Sequence, residues 1–191
     1  MLKFLRDHVL RLSVDSRGVA AVEFVMLVPL MLMVFFGTIQ ISTVVAVDRK
    51  VTLTARTLSD LISQVPGITD TDISNAFAAS LAILSPYPNT QLQSKISQVY
   101  IDPTTLVAKV KWSKASNATA RTCNEVVTVP TALQVAGTYL IMSEVTYNYQ
   151  PIVGYDIKLN FVSPTYPLSA SMFTRPRQSV LVAYPTAPAC P

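Results

Sequence analysis

One histidine, two cysteines and a charged fraction of 14% leave little from which to build a catalytic centre. The histidine is His8, ahead of the long apolar run, so a Ser-His or Cys-His nucleophile finds no base in the rest of the chain. No G-x-G-x-x-G, phosphate-binding loop or H-E-x-x-H occurs. The carboxylates beyond the run (Asp48, Asp60, Asp70, Asp72, Asp102, Glu125, Glu144 and Asp156) are scattered. Asp70-Thr71-Asp72 lacks the following Gly and Glu of a calcium loop and reads as a helix cap. Two cysteines and one histidine do not make a zinc site. The net charge of +4 is spread thinly, with no basic stripe interleaved with aromatics, which excludes a nucleic-acid partner. No enzyme and no cofactor are expected. Asn117-Ala118-Thr119 fits a glycosylation acceptor and reads as a chance tripeptide in a polar loop.

Charge is missing altogether from residues 24–47. As a helix this run extends roughly 36 Å, against about 30 Å for a bilayer core. A cleavable secretory signal has an apolar region of only about 7–15 residues, so this run is read as a membrane span. Pro29 is expected to kink it, and Gly37 to permit close packing. Lys3, Arg6, Arg11 and Arg17 precede the span, while Arg49, Lys50 and Arg56 follow it, a bias too small to orient it.

The apolar pattern continues past the span. Val44, Val47, Val51, Ala55, Leu58, Ile62 and Val65 recur every three or four residues, which is one stripe of a helix. Pro66-Gly67 then ends it. One helix from near Val19 to near Val65 is expected, its first half in lipid and its second laid on a domain. A second helix starts at Asp70-Thr71-Asp72, with Phe77, Leu81 and Leu84 as its apolar face, and Pro86 and Pro88 close it. Residues 95–101 and 106–112 read as a hairpin about Asp102-Pro103-Thr104-Thr105. Residues 114–124 read as a loop, 130–136 as a helical turn, 138–149 and 168–174 as strands, and 184–191 as an extended tail. The fold class expected is α+β, pilin-like: a long N-terminal transmembrane helix continuing into a domain with a small antiparallel sheet. The expected organisation is a basic leader at 1–18, a span at 19–47, a periplasmic extension of the helix at 48–66 and a periplasmic domain at 67–191.

The junction Arg17-Gly18-Val19-Ala20-Ala21-Val22-Glu23-Phe24 carries the most information. A carboxylate at the mouth of an apolar segment needs a reason, since placing it in hydrocarbon costs about 2.5–3.5 kcal/mol. Glycine ahead of it suits a cut site, because a protease must approach the backbone closely. Cleavage between Gly18 and Val19 creates an amine one helical turn from Glu23, since i and i+4 share a face. Glu23 can pair with that amine, or with the amine of a neighbouring subunit, and so set the register of packed helices. The competing reading of Glu23 is a carboxylate resting at the membrane interface.

Cys123 and Cys190 both follow the span. They read as a disulfide in an oxidising compartment, the alternative being two buried unpaired thiols. The disulfide reading puts the C-terminal part on the periplasmic or outer side.

The junction, with Val28-Pro29-Leu30 and Phe36-Gly37, resembles the N-terminus of the TadE/TadG-like proteins of the tight-adherence (Flp) pilus apparatus. Ser143-Glu144-Val145-Thr146-Tyr147-Asn148-Tyr149-Gln150-Pro151 and Ser171-Met172-Phe173-Thr174-Arg175-Pro176-Arg177 resemble that family's C-terminal part. The resemblance implies a minor pilin or pseudopilin of the bacterial inner membrane, needed for pilus assembly, surface adherence and biofilm. The partners it implies are a prepilin peptidase, other Tad/Flp pilins and pseudopilins, the inner-membrane assembly platform and the lipid bilayer. The alternative from another class is an uncleaved, membrane-anchored periplasmic binding module.

Overall fold

The three- and four-residue spacing of apolar side chains is realised as one helix. A computed structural model describes residues 17–151 and 165–187. In it, α1 (Arg17–Ser63) runs unbroken through Pro29. The leader residues Lys3, Arg6, His8 and Arg11, together with Asp156 and Cys190, lie outside the described residues. The chain divides into two compact units, the first ending at Ser42 and the second beginning at Thr43. The described residues of the first unit are apolar helix. The second takes the rest of α1 into its own hydrophobic core.

In that core Val47, Val51, Ala55 and Leu58 are fully buried and Ile62 nearly so. Val65 is not part of it. The helix ends at Ser63, and the following turn leaves Val65 37% exposed. The next helix, α2 (Asp70–Leu84), buries Ile73, Ala76, Phe77 and Leu84 against the same cluster. Its cap is Thr69 rather than the Asp70-Thr71-Asp72 triplet alone. The Asp72 backbone N–H donates to Thr69 Oγ1 (3.2 Å) and the Thr69 N–H donates to Asp72 Oδ2 (2.9 Å), a reciprocal capping box.

Among the described residues five antiparallel strands follow: β1 (Leu92–Ile101), β2 (Ala108–Ser116), β3 (Val126–Val127), β4 (Tyr139–Tyr149) and β5 (Tyr166–Thr174). Their order across the sheet is β3-β2-β1-β4-β5. One face, bearing Leu92, Ile96, Trp112, Ile141, Val145, Tyr147 and Tyr149, packs in the cluster with α1 and α2. The other bears Val99, Val110, Leu140 and Met142 and packs with Val127, Val129, Leu133 and Phe173. A bulge keeps β2 in phase with both. Gln98 pairs with Trp112 but Val99 pairs with Val110, so Lys111 is the extra residue. Trp112 and Val110, two apart in sequence, therefore serve opposite faces.

The strand boundaries differ from the sequence expectation at several points, β5 starting at Tyr166 rather than residue 168 among them. β1 begins at Leu92 rather than residue 95, because its polar start pairs with β4: Gln93 opposes Thr146 and Ser94 opposes Val145. β2 begins at Ala108 rather than 106 and runs on to Ser116, into what reads as a loop. The hairpin turn is wider than four residues. Asp102 Oδ1 accepts the Thr104 and Thr105 backbone N–H groups (2.9 Å each), and Leu106 is forced to φ 57° before the ladder closes. That left-handed position costs a leucine roughly 1–2 kcal/mol. β3, with only two residues, is too short to leave a sequence pattern.

Candidate membrane-anchoring and assembly site

Gly18 and Val19 lie in the first turn of α1. A Cβ added at Gly18 meets nothing within 4 Å, so space does not demand glycine there. Glycine instead weakens the helix locally by about 0.5–1 kcal/mol relative to alanine. Val19 is 58% exposed, and Glu23 is exposed one turn further on. Among the described residues Glu23 has no ion-pair or side-chain hydrogen-bond partner.

Beyond Glu23 the helix is bare. Phe24, Leu30 and Phe35 are more than half exposed, and Met26 and Met33 reach 74% and 73%. The few polar groups are handled inside the helix: Thr38 Oγ1 donates to the Val34 carbonyl (2.8 Å). Each such side chain left in water forgoes about 1.5–3 kcal/mol of burial, so the segment needs lipid or other helices around it. It is long and apolar enough to cross a membrane.

The second unit grips its part of α1 by polar bonds as well as by packing. Ser143 Oγ, fully buried on β4, donates to the Ala55 carbonyl (2.6 Å). The Arg177 N–H donates to the Ser63 carbonyl (2.9 Å), satisfying one orphan acceptor of the helix end, and its guanidinium pairs with Asp60. Lys50 Nζ donates to the Ile83 carbonyl (3.3 Å) and to that of Ser85, capping α2, and lies 5.6 Å from the Tyr87 ring. Sequence reading named none of these contacts. Ser143 and Arg177 lie within the motif stretches, but nothing in a linear pattern says which carbonyl a side chain reaches.

The segment after β5 straps across the domain. Ala183 bonds Pro66 and Ile68 through its backbone (3.0 and 2.8 Å), and Trp112 Nε1 donates to the Val182 carbonyl (3.3 Å). The Tyr184 hydroxyl and Thr186 Oγ1 (3.0 Å) donate to Asp70, which also pairs with Lys114 (3.1 Å). The Tyr184 hydroxyl, then Lys114, hold the Asp70 carboxyl below its ordinary value of 3.8. Asp72 is lowered by Thr69, Asp102 by the Thr104 hydroxyl and two backbone N–H groups, and Glu125 by the Thr122 N–H. A carboxyl depressed by folding stabilises the native state above its unfolded value and loses that contribution as pH falls through its folded value. Thermal stability is therefore expected to fall on acidification below about pH 4, near the unfolded values of these groups. Asp70→Asn should melt lower at neutral pH and converge with the parent in acid. Parallel melting curves across pH would contradict the assignment.

Cys123 sits in a loop pinned to the second sheet face. Arg121 forms two bonds to Glu144 (Nε and Nη2, 2.7 Å each), pairs with Glu125, and its N–H donates to Ser113 Oγ (3.1 Å). The forked Arg121–Glu144 pair fixes the loop's position over β4. With Cys190 outside the described residues, the Cys123–Cys190 pairing remains an expectation. Among the described residues no group of three His, Cys, Asp or Glu side chains could hold a metal ion.

Residues 18–58 match the family model of the TadE-like protein. No curated protein and no solved structure gives a match. The matched stretch takes in Gly18, Val19 and Glu23, the bare apolar helix and the buried turns from Val47 to Leu58 that lock α1 into the domain. Over that segment, about a fifth of its length, the chain is similar to TadE-like proteins.

Proposed function

We propose that this chain is a minor pilin or pseudopilin subunit of a Tad/Flp-type pilus. A prepilin peptidase cuts it between Gly18 and Val19, removing the leader at 1–18. Residues 19–47 hold it in the inner membrane, residues 48–66 extend the helix outward, and residues 67–191 stand on the periplasmic side. From there it enters pilus assembly with other pilins and the inner-membrane platform, in support of surface adherence. The observation that carries this reading is the continuous α1: bare from Val19 to Ser42, with a carboxylate at Glu23 that has no partner among the described residues, and core from Val47 onward. A helix of that kind suits a subunit that passes from lipid into a bundle of like helices.

The mature chain extracted from membranes is expected to begin at Val19 by intact-mass measurement. Gly18→Leu should accumulate as the uncut precursor. Peptides from residues 1–16 on the assembled protein would sink the cleavage.

The periplasmic placement rests on the cysteines. Cys123 and Cys190 are expected to resist thiol labelling in the denatured protein until a reductant is added. Closing that loop stabilises the domain by about 4 kcal/mol on the chain-entropy account. Two thiols labelled before reduction would contradict both the bond and the orientation drawn from it.

A further inference from the structure

One end of the second unit is nearly free of charge. Leu92 opposes Tyr147, Ser94 opposes Ser116 and Tyr149 opposes Tyr166, so the starts of β1 and β5 and the ends of β2 and β4 meet there. Residues 81–94, 115–120, 145–151 and 165–170 supply this end and contain no charged side chain. They are not hidden: Pro86, Pro88, Asn89, Gln150 and Pro167 are exposed, and Tyr166 is 50% exposed. The opposite end, where Ile101 faces Ala108 and Ile141 faces Thr174, carries Asp102, Lys109 and Arg175. Charged side chains belong on surfaces that face water, so their absence from one exposed end calls for a different neighbour.

That end is also where α1 enters the unit. Ser143, midway along β4, bonds Ala55, and Arg177, just past β5, bonds Ser63, so α1 runs in the direction of β5 and Thr43 lies beside its start. Lys50 Nζ reaches the carbonyls of Ile83 and Ser85 at the end of α2, which brings the Pro86–Asn89 turn to the same level. The uncharged run of α1 lasts until Val47, yet the Val47 side chain is already fully buried in the domain core. No spacer separates the last uncharged turn from the domain. Asp48, Arg49 and Lys50 follow at once, and Lys50 is turned inward onto α2.

We propose that this uncharged end of the domain, with the Tyr166 ring and the Pro86–Asn89 turn at its rim, rests in the headgroup layer of the bilayer. A span that ends at Val47 holds the residues flanking Val47 at headgroup depth in every copy, whatever other partner is present. Tyrosine suits that depth, its ring in the apolar boundary and its hydroxyl in water. The proposal rests on the reading of residues 19–47 as a membrane span.

The test uses the full chain, one copy per lipid nanodisc, with one tryptophan added at a time against the buried Trp112. Asn89→Trp and Tyr166→Trp report the uncharged end. Val135→Trp reports the opposite end, where Gly137 bonds Ile101, and Leu30→Trp reports the span. The lipids carry bromine, a contact quencher, either near the headgroup or deep in the acyl chain. With shallow bromine the added emission is expected to be lost at positions 89 and 166 and kept at 135. With deep bromine it is expected to be lost at position 30. Amide exchange in β1 and β4 at the parent's rate shows that each variant folded. Loss at position 30 while 89 or 166 keeps its emission would overturn the proposal and leave the span standing. No loss at position 30 would overturn the span and the proposal with it. Loss at 135 equal to that at 89 and 166 would show that the domain is not held by one end, which also overturns it. Emission at 89 and 166 that is blue-shifted but unquenched would assign this end to a protein neighbour instead of lipid.

Discussion

Glu23→Gln is expected to be cut normally at Gly18-Val19 and to be lost from assembled pili. On the reading proposed above, processing needs only a glycine and a backbone that can be unwound, and both lie upstream of the carboxylate. Assembly, on the reading proposed above, needs the ion pair that forms once cleavage has created the Val19 amine. Glutamine keeps the size and the hydrogen bonds but not the charge. Removing one partner of a buried pair costs about 3–5 kcal/mol, because the other charge stays unpaired in a dry site. At about 1.4 kcal/mol per decade, that is roughly two to four orders of magnitude in incorporation. The measurement is the ratio of mature chain in sheared pili to mature chain in membranes, for the parent, Glu23→Gln and Glu23→Ala. Incorporation of Glu23→Gln at the parent's level would reduce Glu23 to an interfacial residue and remove the register argument, with cleavage at Gly18 left standing.

Leu58→Ala is expected to destabilise the domain more than any exposed change on the same helix. Leu58 is fully buried between α1 and the sheet, one turn from Ala55, whose carbonyl accepts the Ser143 hydroxyl. Truncating a leucine in such a place removes its transfer energy and leaves a cavity, together about 2–5 kcal/mol. For a domain of this size that lowers Tm by roughly 5–15 °C. Leu53→Ala, on the same helix but 51% exposed, should change stability by less than about 0.5 kcal/mol. Amide exchange should quicken along Val51 to Ile62 in Leu58→Ala and not in Leu53→Ala. Equal effects of the two would mean that this part of α1 is not held by the sheet.

The α+β class was legible because each of its signals is local. A charge-free run followed by an apolar stripe at helical spacing specifies one long helix, and Val47, Val51, Ala55, Leu58 and Ile62 are buried where that spacing puts them. Asp102-Pro103 marks a turn because the Asp102 side chain caps the backbone of Thr104 and Thr105, two and three residues on. The starts of β1 and β2 were not legible. Gln93 and Ser94 become strand by pairing with residues some fifty positions away, and Leu106 is held left-handed by the closure of the ladder around it.

The candidate site divides the same way. Gly18, Val19 and Glu23 are read from sequence alone, since a glycine, a helical turn and one carboxylate before an uncharged run act through neighbours in the chain. The anchorage of α1 is not. Ser143 on Ala55, Arg177 on Asp60 and Ser63, Asp70 on Tyr184 and Thr186, and Arg121 on Glu144 join positions far apart in sequence. Local sequence determined the helix, its apolar half and the class of the domain, because hydrophobic period and turn chemistry reach only a few residues. Tertiary structure alone decided which polar groups meet, because a buried donor takes whichever acceptor the packed fold brings within about 3 Å, and no linear pattern records that distance.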